Sequence, residues 1–294
     1  MSKAGPPAAP GTPNPVTIDG STQSFCTNAT SSCSATITTS HANDIIIVYA
    51  SETLDVQTTC SFTVSDTTGL SWFSRGPSVS GRGGKDQLQE FWARSPNVLT
   101  SDVVTESIAG CGNNYNGLEV FGITGANLSI PFDPSFGAQA TGSDANGGQQ
   151  YVTSATISTG NPNDFVFAGV QHGTGAAPTA ESGFTMIIST GGYGTEYKLT
   201  SSTLANYTVS FSFGTASYWQ EIADAVQSTP LTLWLTSSRA YDIYGNACTS
   251  NCGWRHVNFP ANRGGILLER GIARGGCPAS TNTGGNPNVG NHKG

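Results

Sequence analysis

One stretch of this chain is written twice. Ser34–Glu52 reads SATITTSHANDIIIVYASE, and 120 residues further on Ser154–His172 reads SATISTGNPNDFVFAGVQH. The copies share Ser-Ala-Thr-Ile, then Thr39 or Thr159, then an Asn-Asp pair ahead of an apolar run. In the first copy Ile45, Ile47 and Tyr49 point one way along an extended chain, and Ile46, Val48 and Ala50 the other. A strand apolar on both faces belongs at the centre of a fold, covered on both sides.

Further matches follow in the same order in each half. Gly183-Phe-Thr-Met-Ile-Ile parallels Gly69-Leu-Ser-Trp-Phe, and Glu196-Tyr-Lys-Leu parallels Glu90-Phe-Trp-Ala. The alternating stretch from Tyr207 to Phe213 parallels Asp102 to Ile108, and Gln220-Glu-Ile parallels Leu118-Glu-Val. This is a single duplication, short of the three or more units a solenoid needs. Strands spaced by roughly 8–12 residues predict an all-β protein. The expected architecture is a two-sheet, jelly-roll-like sandwich of antiparallel strands, its halves (about 34–124 and 154–226) related by a pseudo-twofold. Two small sandwiches in tandem are the alternative.

The duplicated domain is expected over 16–227. Ahead of it, 1–15 is a Pro-rich linker. Beyond it, the segment after Gln227 holds five of the eight arginines and three of the seven cysteines: 228–276 is an Arg/Cys-rich extension, and 277–294 is a Gly/Asn-rich stretch expected to be disordered.

The motifs ANDIIIVYASE, GLSW, EFWARS, VFGITGAN-x3-PFD, NDFVFAG and SYWQEIADA resemble a domain widespread in extracellular proteins of archaea and soil bacteria. The resemblance spans about 16–226. It implies a concanavalin-like jelly roll and no assigned activity.

Charged residues make up only 11% of the chain, and its formal net charge is −7. Such a balance disfavours nucleic acid, whose phosphates need clustered Lys and Arg. No apolar run is long enough to span a membrane. Sequons at Asn28, Asn127 and Asn206 and the cysteines fit an extracellular or cell-surface protein. Cys26 and Cys33 bracket a short loop that a disulfide would close. Cys60 with Cys111, and Cys248 with Cys252, are the other expected bridges, leaving an odd cysteine. Cys248, Cys252, His256 and Cys277 offer an alternative zinc set.

Several residues are candidates for chemistry. Glu119 and Glu221 occupy matched positions, and paired carboxylates across a groove are the glycosidase arrangement. His172 and Glu52 match likewise, and a His–Glu pair suits acid–base work. Gln171 and His172 are adjacent, so they lie on opposite faces, unlike the Gln-x-His strand of polysaccharide lyases. Tyr115, Tyr193 and Trp92, with Asn114 and the loop around His172, suit stacking and hydrogen bonding to a sugar ring. Asp66, Asp133 and Asp144 lie in turns suited to calcium, although no cofactor is required. No nucleophile elbow and no phosphate-cradling motif occurs.

The leading expectation is a secreted, non-catalytic module that binds carbohydrate or another surface partner. A polysaccharide hydrolase or lyase is the first alternative. A self-associating fibre or capsid-like subunit, its chains linked through Cys277, is the second.

Overall fold

A computed structural model describes residues 16–27, 31–53, 60–110, 115–135, 139–144 and 148–228. All of these lie within one unit, Gly11–Leu231. The linker, the Arg-rich extension and the Gly/Asn-rich stretch expected from the sequence fall outside the described residues, as do Cys111, Asn114 and the zinc set.

The described chain holds strands and turns but no helix. The first half contributes β1 (Thr17–Thr27), β2 (Ser32–Ile37), β3 (Asp44–Thr53), β4 (Ser61–Asp66), β5 (Phe73–Ser74), β6 (Val79–Gly81), β7 (Asp86–Ser95), β8 (Asp102–Ala109) and β9 (Tyr115–Thr124). The second contributes β10 (Ala140–Ser143), β11 (Gln150–Val152), β12 (Ala155–Ile157), β13 (Phe165–His172), β14 (Thr179–Ala180), β15 (Thr185–Thr190), β16 (Tyr193–Leu199), β17 (Tyr207–Val209), β18 (Phe211–Ser217) and β19 (Trp219–Val226). Strands β10 and β11 lie between the two halves expected from the sequence.

Two large antiparallel sheets form the centre. One runs β1-β9-β3-β7-β5, with β6 beside β7, and the other runs β10-β19-β13-β16-β15. Strands matched in sequence hold the same places in both: β3 with β13, β7 with β16, β9 with β19 and β5 with β15. Between the sheets lies a core of Ile45, Ile47, Phe121, Phe165, Phe167 and Ile222. Smaller sheets cover their outer faces. Sheet β2-β8-β4 encloses Ile46, Val48 and Ala50 of β3, while β12-β17 and β11-β18-β14 enclose Val166, Ala168 and Val170 of β13. Three stacked cores explain why these strands carry no polar face: every residue from Ile45 to Ala50 is at most 1% exposed.

The repeated Asn-Asp has a local cause. Asn43 (φ 66°) and Asn163 (φ 65°) both turn the chain through the left-handed region, which Asn tolerates better than most side chains. In the first half the Asp19 carboxylate accepts the backbone N–H groups of Ser40 and His41, and in the second Asp133 accepts those of Gly160 and Asn161. Each carboxylate also hydrogen-bonds the buried Asp that follows the Asn, Asp44 or Asp164. An acid pair thus clasps the entry to each central strand.

A disulfide joins Cys26 to Cys33. Cys60 is also disulfide-bonded.

Candidate functional site

A groove of about 630 Å³ opens at the β5 edge of the first large sheet. Two short segments wall it. Asp66 builds the first: its carboxylate accepts the N–H groups of Thr68, Gly69 and Leu70 and the Trp72 indole N–H. Asp102 accepts two more from Thr67 and Thr68, and Gly69 (φ 80°) takes the left-handed turn. The second wall is 95–99. The Ser95 hydroxyl donates to the Asn97 carbonyl at 2.7 Å, and Leu99 N–H reaches the Thr39 hydroxyl at 2.9 Å. Both walls are therefore held by polar contacts rather than by packing alone.

The floor is aromatic. Phe73 and Trp92 sit opposite each other in the β5–β7 ladder, their ring centres 5.2 Å apart and tilted by 33°. Trp92 packs its far side edge-on against Phe132 in the central core. Phe73 is 51% exposed. The Arg94 guanidinium lies 5.7 Å from the Trp92 ring centre and donates to the Ser129 carbonyl. The lining holds no carboxylate, His or Cys. Its chemistry is a flat apolar face beside a cation and backbone-rich walls, with no acid–base pair.

Of the residues expected at a ligand site, Trp92 lines this groove. Tyr115 is exposed and stacks on Phe25 at 5.8 Å, so it marks a separate aromatic surface. Tyr193, expected at an exposed loop, is buried at the start of β16. Its ring fills the space above Gly117, where a Cβ would overlap it. His172 ends β13, as its match to Glu52 implies, but it is buried rather than open to a ligand. Its ring stacks on Phe213 at 4.3 Å, its Nδ1 meets the Thr174 hydroxyl, and burial pushes its pKa down to about 4.

Glu119 and Glu221 do not converge. Glu119 pairs in register with Tyr49 and faces the central core, on the side of Thr195 and Gly194 of β16. Glu221 pairs with Val170, so it faces the outer core of the second half. The second large sheet separates them. Burial raises the pKa of both carboxyls well above the ordinary range. Glu52 and His172 do not form an acid–base pair in the groove either, since neither lines it.

The calcium candidates turn their oxygens to N–H donors. Asp66 holds its own turn, Asp133 holds Gly160 and Asn161, and an Asp144 oxygen accepts Arg82 N–H. Among the described residues no three His, Cys, Asp or Glu side chains gather as a metal site. Nor does any described helix reach the length and apolarity needed to cross a membrane.

Phe73 is the groove residue that the sequence does not mark. It stands in a two-residue edge strand, too short for a periodic signal. Compared with family models, curated proteins and solved structures, the chain matches none.

Proposed function

We propose that this chain is an extracellular β-sandwich module that binds a carbohydrate in the groove floored by Phe73 and Trp92. The observation that carries this reading is the exposed Phe73 ring against the half-buried Trp92 in a groove without a titratable catalytic set. An aromatic face stacks on the apolar C–H face of a pyranose, while Arg94 and the backbone of the two walls meet its hydroxyls. The absence of a carboxylate, His or Cys from the lining favours binding over hydrolysis or elimination. The disulfide and the low charge content support an oxidising, extracellular setting.

Affinity electrophoresis in a panel of soluble polysaccharides tests the reading. Wild-type protein should be retarded by at least one polymer. Phe73→Ala should weaken that retardation roughly tenfold, with its melting temperature unchanged because the ring is half in solvent. No retardation by any polymer, or equal retardation of wild type and Phe73→Ala, would overturn it.

A further inference from the structure

The two large sheets meet at a polar end of their shared core. There β3 ends on Thr53, whose register partner across β7 is Asp86. The Asp86 carboxylate is 1% exposed and hydrogen-bonds the Thr53 side chain. From the facing sheet, Gln171 of β13 brings its carboxamide to the same hydroxyl, with Nε2 3.0 Å from Thr53 Oγ1. Gln171 is 2% exposed, and its carbonyl oxygen has no hydrogen-bond partner. A hydroxyl thus lies between a buried carboxylate on one side and a buried primary amide on the other. The amide carbon is one bond from the nitrogen already in contact.

We propose that Thr53 and Gln171 form an intramolecular ester that ties the two halves of the protein covalently. The Thr53 oxygen attacks the amide carbon of Gln171 while Asp86 takes the hydroxyl proton. The C–N bond then breaks, the nitrogen leaves with that proton as ammonia, and a Thr53 Oγ1–Gln171 Cδ ester remains. Atoms and charge balance without oxidant, metal or co-reactant.

Three features set this pair apart from an ordinary hydrogen bond. First, the groups are held by strands on two facing sheets, so their approach is fixed by the fold rather than by rotamer chance. Second, Asp86 and Gln171 are buried and Thr53 is half-buried, which limits the water that would hydrolyse an ester. Third, burial also raises the pKa of Asp86, even with the Arg82 guanidinium 2.8 Å away, which strengthens it as a base. The link would join residues 118 positions apart in sequence, one on β3 and one on β13.

Intact mass spectrometry of the purified, reduced full chain decides the matter. The expected mass is that of the sequence less one ammonia, with the peptides containing Thr53 and Gln171 recovered joined. Thr53→Val and Asp86→Asn should each restore the full sequence mass. Hydroxylamine, which cleaves esters, should release the joined peptides. A folded wild-type chain at its full sequence mass would overturn the proposal, as would an ammonia loss that persists in Thr53→Val. The wild-type measurement stands even if a variant fails to fold.

Discussion

The two halves solve one problem with the same parts and different settings. Each must start a fully buried strand from a surface turn. In the first, Asp19 holds Ser40 N–H at 2.9 Å and His41 N–H at 2.7 Å; in the second, Asp133 holds Gly160 N–H at 2.9 Å and Asn161 N–H at 3.0 Å. Burial tends to raise the pKa of both carboxylates, but the groups around them outweigh it and bring them below the ordinary range: the Ser40 and His41 N–H groups foremost at Asp19, the Asp164 carboxyl and the Ser135 hydroxyl foremost at Asp133. Their partners go the other way. Burial, then the neighbouring acid, lifts Asp44 to about 7 and Asp164 to about 9. Each pair therefore shares one proton, since two buried carboxylates side by side cannot both be charged. What differs is the company. The first clasp has the His41 ring 3.1 Å from Asp19 and a Thr124 side chain that lowers Asp44, while the second has the uncharged Asn161 amide 3.2 Å from Asp133. The shared geometry fixes the turn, and the neighbours set where the proton is lost.

A second contrast lies in the core between the sheets. Asp224 pairs with Phe167 in one half, at the place where Phe121 pairs with Ile47 in the other. An aromatic ring in one half is replaced by a carboxylate, fully buried, in the other. Arg75 makes this tolerable: its guanidinium reaches Asp224 at 2.5 and 3.3 Å and lies 3.9 Å over the Phe132 ring. Arg75→Met should destabilise by about 3–5 kcal/mol, because it leaves Asp224 buried without its cation. Asp224→Leu in that background should recover most of the loss. Urea denaturation of the three proteins checks this, and a small effect of Arg75→Met alone would show that Asp224 is already protonated.

Equivalent positions also meet across that core. Tyr49 and Gly169 are 120 residues apart and matched in the repeat, and a Cβ on Gly169 would overlap the Tyr49 ring. Two tyrosines cannot share this space, so the symmetry is broken by size. Gly169→Ala should cost about 3 kcal/mol in the wild type. In a Tyr49→Ala background the same substitution should cost little. Additive losses in this double-mutant cycle would mean that the ring is not what excludes the methyl group.

The acid pairs make stability depend on pH with an unusual sign. Between the unfolded value of 3.8 and its folded value of about 9, Asp164 keeps a proton in the native state that the unfolded chain releases. Stability therefore falls as pH rises through that window, by about 1.4 kcal/mol per pH unit for such a group. Asp44 acts likewise from 3.8 to about 7. Burial raises Glu90, Glu106, Glu119 and Glu221 too, which adds to the same slope. The lowered pKa values of Asp19 and Asp133 give the opposite slope below 3.8. Denaturation midpoints should thus peak near pH 4 and decline toward pH 9. Asp164→Asn keeps a donor for Asp133 and should flatten the decline between pH 7 and 9. A wild-type profile that rises toward neutrality would contradict this assignment.

The fold was more legible than the site, for physical reasons. Ile45 to Ala50 declare a strand covered on both sides because burial on two faces leaves no other composition. The Asn-Asp pair is visible because its backbone demand is local. Side-chain facing across the repeat is less legible. Matching Gln220-Glu-Ile to Leu118-Glu-Val puts Glu119 and Glu221 in equivalent places, yet the ladders set Glu119 against Tyr49 and Glu221 against Val170, one step out of register. A one-residue slip turns a side chain to the other face, so the apparent carboxylate pair is split between two cores. Tyr193 misleads for a related reason. Its Gly-rich surroundings resemble an open loop, but the space that buries it belongs to Gly117 in the other half. Trp92 stands out as a large aromatic, whereas Phe73 earns its place only through its pairing with Trp92.

The smallest expected effect sharpens the first contrast most. If the His41 charge holds Asp44 below Asp164, then His41→Asn should move the Asp44 titration upward, and Asn161→His should move that of Asp164 downward. Each shift should be about half a pH unit, since the His41 side chain is 59% exposed and water screens it. Carboxyl carbon chemical shifts followed by NMR across pH 5 to 10 would resolve both. Thr124 offers the competing explanation, because its side chain lowers Asp44, whereas Asp133, the side chain acting on Asp164, raises it. Thr124→Val should then raise Asp44 by more than His41→Asn does. If neither histidine exchange moves its carboxyl, the gap between the two clasps belongs to the hydroxyl, and the residue after each turn is a backbone donor only.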